Sequence, residues 1–246
     1  MKSSENKFVI FSQSRSGSTL LKELIGSHPS IHCEGEILAF SDGYITNRYI
    51  LKICRRIPVP YFYFRKRMCV GNVYGFTLFV YHSPYIKQSI HRLSKLGWKI
   101  VYLKRRDIIN QAISNIVAHR NQYFHNMIDN DLPENVDFEI NREEFLSEIK
   151  RRIHWHQTER DILMNIDHLP IFYEKDLENL KYWQPTADRI FQFLNMDSSE
   201  VNSGLKKTYK KPYSELVSNY QNLIELLKES KLNDKLESIM CDVVNV

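Results

Sequence analysis

Short apolar runs rich in β-branched and aromatic residues alternate along this chain with longer stretches whose apolar positions recur every three or four residues. Lys7 to Phe11 (KFVIF), Val73 to Tyr81 (VYGFTLFVY), Trp98 to Leu103 (WKIVYL) and the start of His168 to Leu177 (HLPIFYEKDL) have the pattern of buried strands. Leu20 to Pro29 places Leu20, Leu21, Leu24 and Ile25 on one helical face before Gly26 and Pro29 stop it. Ile108 to Arg120 is also helical by pattern. So are Arg142 to Ile166, with Phe145, Ile149, Ile153, Ile162 and Ile166 near helical spacing, and Trp183 to Met196, which ends near Asn195. A last helix is predicted from Tyr213 through Lys231. Strands alternating with helices predict an α/β fold: a mostly parallel central sheet of about four or five strands with helices on both faces.

Between the first two strands, Tyr44 to Met68 mixes aromatic residues with Arg48, Lys52, Arg55, Arg56, Arg65, Lys66 and Arg67. Pro58 and Pro60 divide it into a helix-like half and an extended half. An aromatic face with a basic rim suits sugars, acidic glycans or the surface of an anionic membrane, and the same pattern also describes an amphipathic helix with solvated charges.

The nine residues from Phe11 to Thr19 (FSQSRSGST) carry the candidate chemistry, because they join the first strand directly to the first helix. Small side chains let backbone N–H groups approach an anion closely, and the helix start adds the positive end of its dipole. Set against the nucleotide-triphosphatase P-loop, G-x-x-x-x-G-K-[ST], the second Gly is Gly17. Ser12 then replaces the first Gly, Ser18 the Lys, and Thr19 keeps the hydroxyl. Without the Lys that holds the β- and γ-phosphates, ATP chemistry loses favour. The loop's cation is instead Arg15.

R-S-G-S-T-L-L after a strand resembles the 5′-phosphosulfate loop of sulfotransferases that use 3′-phosphoadenosine 5′-phosphosulfate (PAPS). The resemblance implies a P-loop nucleotide-kinase-like topology, a donor cradle over residues 12–19 formed by Ser14, Arg15, Ser16, Gly17, Ser18 and Thr19, and a place for Arg15 beside the transferred sulfuryl group. A second segment fits the same family. Lys104-Arg105-Arg106-Asp107 follows the strand at Trp98 to Leu103, where ligands of open α/β sheets bind. Ser114 lies eight residues after Arg106, a spacing that resembles the family's 3′-phosphate motif, here 104–114. The family more often has Asn-Pro after that Arg, and Asp107-Ile108 here leaves Arg105 and Arg106 as alternatives for the role.

Two candidates follow for the base that removes the acceptor proton. Glu36 stands eight residues beyond His28 of a His-Pro pair, a spacing found in sulfotransferases acting on sugars, with Glu34 as its neighbour. His82 of His82-Ser83-Pro84 ends the strand at Val73 to Tyr81, resembling the base of cytosolic sulfotransferases, and a neutral His suits that task near pH 7. Thr77 follows Gly75-Phe76 where a related group carries Lys. Near the C-terminus the basic loop 205–212 (LKKTYKKP) corresponds to a segment that folds over the 3′-phosphate in the family. Lys206, Lys207, Lys210 and Lys211 are the candidates there.

Length and composition bound these readings. The 246 residues, 43% of them hydrophobic, suffice for one substantial core, so a single domain over 1–246 is expected. Lys and Arg number 34 against 29 Asp and Glu, and the resulting +5 suits a polyanionic donor or an acidic acceptor but is too small to argue for nucleic acid, of which no recognition motif stands out. Cys33, Cys54, Cys69 and Cys241 make no metal-ligand spacing, and His154 and His156, two apart on a helix, point to different faces. No metal is therefore expected, in keeping with a sulfuryl group that carries less charge than a phosphoryl group. The absence of a leader-like or membrane-spanning apolar run predicts a soluble cytoplasmic protein. The resemblance implies transfer of a sulfuryl group from PAPS to a hydroxyl, most simply on a carbohydrate or glycolipid, with 3′,5′-adenosine bisphosphate as the product. A nucleotide or small-molecule kinase and a non-catalytic nucleotide- or glycan-binding protein are the other classes compatible with the pattern.

Overall fold

The computed structural model describes residues 6–40, 44–69, 72–121, 138–205 and 211–241. The chain divides into two compact units, Met1–Lys104 with Thr158–Ser203, and Arg105–Gln157 with Gly204–Val246.

The first unit contains a five-stranded sheet: β1 (Asn6–Ser12), β2 (Ile31–Glu36), β3 (Val73–Phe79), β4 (Lys99–Lys104) and β5 (His168–Phe172), in the order β2-β3-β1-β4-β5. All pairings are parallel, so every strand delivers its carboxyl end to one edge. The α/β expectation holds, with one strand that the pattern did not reveal. β2 (IHCEGE) is an edge strand paired only with β3, and its exposed positions are polar, so no apolar run announces it.

Side-chain alternation builds two cores on the two faces of the sheet. Phe8 and Ile10 of β1, Val101 and Leu103 of β4 and Ile171 of β5 pack with α1 (Ser18–Gly26) through Leu21, Leu24 and Ile25, and with a second helix, Trp183–Phe193, through Ile190 and Phe191. Gly75 on β3 makes room for this layer: a Cβ there would lie 2.2 Å from the Phe8 ring. On the opposite face Phe76 meets Trp98 and Phe62, their ring centroids 5.5 and 4.5 Å away.

Phe62 belongs to α3 (Pro58–Met68), which follows α2 (Arg48–Arg56) after the single residue Ile57. This corrects the expectation of an extended segment after Pro58. Both prolines fall in the first turn of α3, where a missing N–H removes no intrahelical bond. α4 (Ile86–Lys95) precedes β4.

The second unit is helical. α5 (Ile108–Asn121) and much of α6 (Arg142–Leu163) pack with α8 (Tyr213–Leu216), α9 (Tyr220–Glu229) and α10 (Asn233–Cys241), the helix Trp183–Phe193 being α7. The helix expected from Tyr213 through Lys231 is therefore interrupted. Val217 forms an isolated parallel bridge with Phe138, and the Asn219 side chain exchanges hydrogen bonds with the backbone N–H and C=O of Ile140, which pull the chain out of helical geometry. Within this unit Arg152, wholly buried, donates from Nε to Glu148 at 2.8 Å, and Asn115 donates to the same carboxylate at 3.1 Å.

Candidate functional site

β1 is central, and the chain order reverses about it, so the loop that leaves its carboxyl end stands at the sheet's topological switch point. The loop is shaped by its own residues. Ser16 is buried and donates from Oγ to the Gln13 carbonyl at 2.7 Å. Gln13, also buried, donates from Nε2 to Glu159 at 3.0 Å, and the Tyr102 hydroxyl donates to the same oxygen at 3.1 Å. Arg15 and Gly17 both have left-handed backbone, φ 62° and 93°.

Gly17 is the N-cap of α1 and has no side chain to cap it, which leaves the helix start suited to an anion. A Cβ at Gly17 would lie 2.6 Å from Cδ2 of Tyr173, so glycine is required twice, for its conformation and for its contact. Ser18 begins α1 and is buried, while Ser14, Arg15 and Thr19 are partly exposed. Ser12 Oγ at the loop's mouth is fully buried and has no hydrogen-bond partner among the described residues, an arrangement that fits a ligand oxygen at this position.

Tyr173 and its surroundings were not legible as part of this site. Tyr173–Leu177 is a single π-helical turn after β5, fixed by Asp176, which accepts from the Phe172 N–H at 2.7 Å and from Arg189 at 2.8 Å. The apolar start of His168 to Leu177 gave the strand before it but not the Tyr173 ring's packing on Gly17. A π-turn at a strand end was the feature to look for, and such turns often mark functional sites.

The two candidate bases meet. β2 ends at Glu36, and His82 follows β3 in a turn whose His82 N–H donates to the Phe79 carbonyl. His82 Nε2 lies 3.5 Å from Glu36 Oε2. The imidazole is buried, 3% exposed, whereas the Glu36 side chain is 25% exposed. The Phe79 N–H donates to His82 Nδ1 at 3.1 Å, so the neutral ring carries its proton on Nε2, facing the carboxylate. The ring nitrogen nearest Glu36 is thus the one that carries the neutral ring's proton.

α2 closes around this pair. Arg55 donates from Nε and Nη2 to the Leu38 carbonyl at 3.0 and 2.8 Å, and Ser83 Oγ donates to the Arg55 carbonyl at 2.6 Å. His28, of the His-Pro pair, accepts the Ser30 N–H on Nδ1 at 3.1 Å and sets the turn into β2.

Glu34 does different work. Its buried carboxylate accepts a two-nitrogen contact from Arg65 and a hydrogen bond from the Tyr74 hydroxyl, with Cys69 Sγ at 3.8 Å. Burial and the Glu34 carboxylate raise the Tyr74 hydroxyl pKa, and the hydrogen bond to Glu34 raises that of Arg65. His32, Glu34 and Cys69 have ligand atoms within 4.8 Å of one another, a grouping that no sequence spacing disclosed. Glu34 already serves Arg65 and Tyr74, and burial, then Glu34, raises the Cys69 thiol, so the cluster is built as an ion pair.

In the second unit, Arg105 and Arg106 are half-buried in the turn before α5, and Ser114 is buried on that helix's second turn. Asp107 caps α5 by accepting the Asn110 N–H at 2.9 Å, which accounts for Asp at this position. Lys104 is the last residue of β4 and is buried. Lys206, Lys207 and Lys210 lie outside the described residues, and Lys211 is exposed. Among the described residues no helix is long and apolar enough to cross a membrane.

No protein-family model matches the chain, and no curated protein matches it. Among solved structures, a sulfotransferase from Alicyclobacillus acidocaldarius is similar at 13% identity and a TM-score of 0.52, over 96% of this chain and 95% of the other. A mouse sulfotransferase complexed with PAP is similar at 15% identity and a TM-score of 0.48, over 95% of this chain and 88% of the other. At 13% identity the likeness is one of architecture, and the chain is built on the α/β fold of the Alicyclobacillus acidocaldarius sulfotransferase.

Proposed function

We propose that this protein is a cytoplasmic PAPS-dependent sulfotransferase that acts as a single domain over 1–246 on a hydroxyl-bearing carbohydrate or glycolipid. The observation that carries this reading is the loop after β1. It leaves the switch point of a parallel sheet, opens a helix at an uncapped Gly17, holds a buried Ser12 hydroxyl where a P-loop has its first Gly, and carries its cation at Arg15 within the loop, Ser18 standing where a P-loop has Lys. The 5′-phosphosulfate of the donor belongs over Ser14, Arg15, Ser16, Gly17, Ser18 and Thr19. The resemblance in sequence assigns its 3′-phosphate to Arg106 and Ser114, with Lys206 and Lys207 as further contacts.

The Glu36–His82 geometry supports a division of labour. Glu36 takes the proton of the acceptor hydroxyl as that oxygen bonds to sulfur, and the bond from sulfur to the bridging phosphate oxygen breaks, releasing 3′,5′-adenosine bisphosphate. His82, with its Nε2 proton toward Glu36, orients the carboxylate. Arg15 and the α1 amides meet the charge that grows on the bridging oxygen.

The test is transfer of radiolabelled sulfate from PAPS into a panel of glycans and glycolipids. Labelled product that needs PAPS and disappears in Glu36→Gln supports the reading. Phosphoryl transfer from ATP with Mg²⁺, or tight nucleotide binding without transfer to any acceptor, would replace it with a kinase or a binding protein.

A further inference from the structure

We propose that the outer face of α2 and α3 is a docking surface for an anionic lipid bilayer. Tyr49, Ile53 and Ile57 recur at every fourth residue with Ile50 beside them, on the side of α2 away from its buried Leu51. Phe64 and Met68 continue an outward apolar line along α3 from the shared residue Ile57. These side chains are between 52% and 79% exposed, the reverse of what a helix packed on a sheet presents to water. Arg48, Lys52 and Arg56 repeat at the same interval one position before the apolar stripe, and all three are exposed. A cationic row flanking an apolar row is the pattern of a helix lying in a membrane interface, its cations reaching to phosphate while its apolar side chains enter the acyl boundary.

Charge chooses the partner. From Gly43 through Arg106 the chain contains no Asp or Glu, although the whole molecule has a net charge of only +5. A second copy presenting the same face would be repelled, and a neutral apolar partner would leave the cations without counter-charge. An anionic bilayer satisfies both rows at once.

The position of α2 gives docking a consequence for the reaction, and this consequence alone rests on the proposed function. Arg55 holds the Leu38 carbonyl just after Glu36, and Ser83 beside His82 holds the Arg55 carbonyl. Docking through α2 therefore brings the Glu36–His82 pair to the lipid surface, where a lipid-borne acceptor is found.

Sedimentation with vesicles reads docking without reference to turnover. The full chain should bind vesicles of phosphatidylcholine with phosphatidylserine and not vesicles of phosphatidylcholine alone. Binding should weaken with added salt. Lys52→Ala should lower the partition coefficient about fivefold, the usual worth of one interfacial cation. Ile53→Asp should lower it at least tenfold, since it loses apolar insertion and adds an anion. Both positions are exposed, so far-UV circular dichroism should match the parent. Equal binding to both kinds of vesicle, no binding to either, or unchanged binding in Ile53→Asp overturns the proposal. So does a dimer or a nucleic-acid complex lost in Ile53→Asp when the parent binds no vesicles. Loss of sulfate transfer with docking intact would count against the proposed reaction alone.

Discussion

Glu36 and His82 stand far apart in sequence and 3.5 Å apart in the fold, so their roles depend on each other. Because the Phe79 N–H occupies Nδ1, the neutral ring presents a proton to Glu36, and in the proposed reaction the carboxylate is the base. Glu36→Gln should therefore retain donor affinity and lose roughly 10²–10⁴-fold in turnover, the range for a positioned general base. His82→Asn should cost less. Single-turnover rates with labelled PAPS decide between them, and the opposite ranking moves the base to His82. Gly17 makes a prediction about stability as well as binding. Gly17→Ala meets an unfavourable left-handed conformation, about 1–2 kcal/mol, and overpacks against Tyr173, about 1–3 kcal/mol. Urea unfolding should show the sum. The double variant with Tyr173→Ala should recover only the packing part, because the conformation at φ 93° remains.

At the scale of elements, β2 is held by Glu34, whose carboxylate joins this edge strand to Arg65 on α3 and to Tyr74 on β3. Glu34→Ala leaves a partly buried guanidinium and a buried hydroxyl without that partner, and should destabilise the fold by about 3 kcal/mol in a urea melt. Burial, partly offset by Lys22, pushes the neighbouring Cys33 thiol up to about 12 from an ordinary 9.0. A raised pKa favours the folded state while the thiol stays protonated. The contribution is complete below pH 9 and is lost as pH rises from 9 toward 12. The unfolding midpoint should fall across that window, and fall less steeply in Cys33→Ala. The same elements show what the sequence disclosed. β1, β3 and β4 were legible because interior strands covered on both faces are continuously apolar, β5 because its Leu169 to Phe172 run is apolar although it lies at the other edge, and the loop because its small residues are contiguous. β2 was hidden because an edge strand with polar outward positions has no such run. α3 was hidden because Pro58 and Pro60 resemble helix breaks in sequence, although prolines in a first turn are compatible with a helix. The meeting of Glu36 with His82, and of Tyr173 with Gly17, depends on strand order, which no local pattern encodes.

At the scale of the molecule, the choice between a sulfotransferase and a kinase becomes a question of which nucleotide stabilises the chain. A ligand that binds only the folded state at about a hundred times its dissociation constant adds about 2.7 kcal/mol, enough to raise a melting temperature by several degrees in a protein of this size. On the proposed reading, a loop that has Ser18 at the P-loop Lys position and its cation at Arg15 takes a donor whose transferred group is singly charged, and the sequence resemblance assigns a second phosphate, on the ribose, to Arg106 with Ser114. 3′,5′-Adenosine bisphosphate should accordingly raise the melting temperature more than ATP with Mg²⁺ at matched concentration, and adenosine 5′-phosphosulfate should fall below it for want of the 3′-phosphate. In Arg106→Ala the advantage of 3′,5′-adenosine bisphosphate over adenosine 5′-phosphosulfate should shrink by about 1.5–3 kcal/mol, the worth of a charge-assisted contact. If both ligands lose equally, Arg106 acts through the turn before α5 and Arg105 becomes the reader of the 3′-phosphate. If ATP with Mg²⁺ stabilises most, the loop serves phosphoryl chemistry, and Glu36→Gln should then spare the reaction that consumes it.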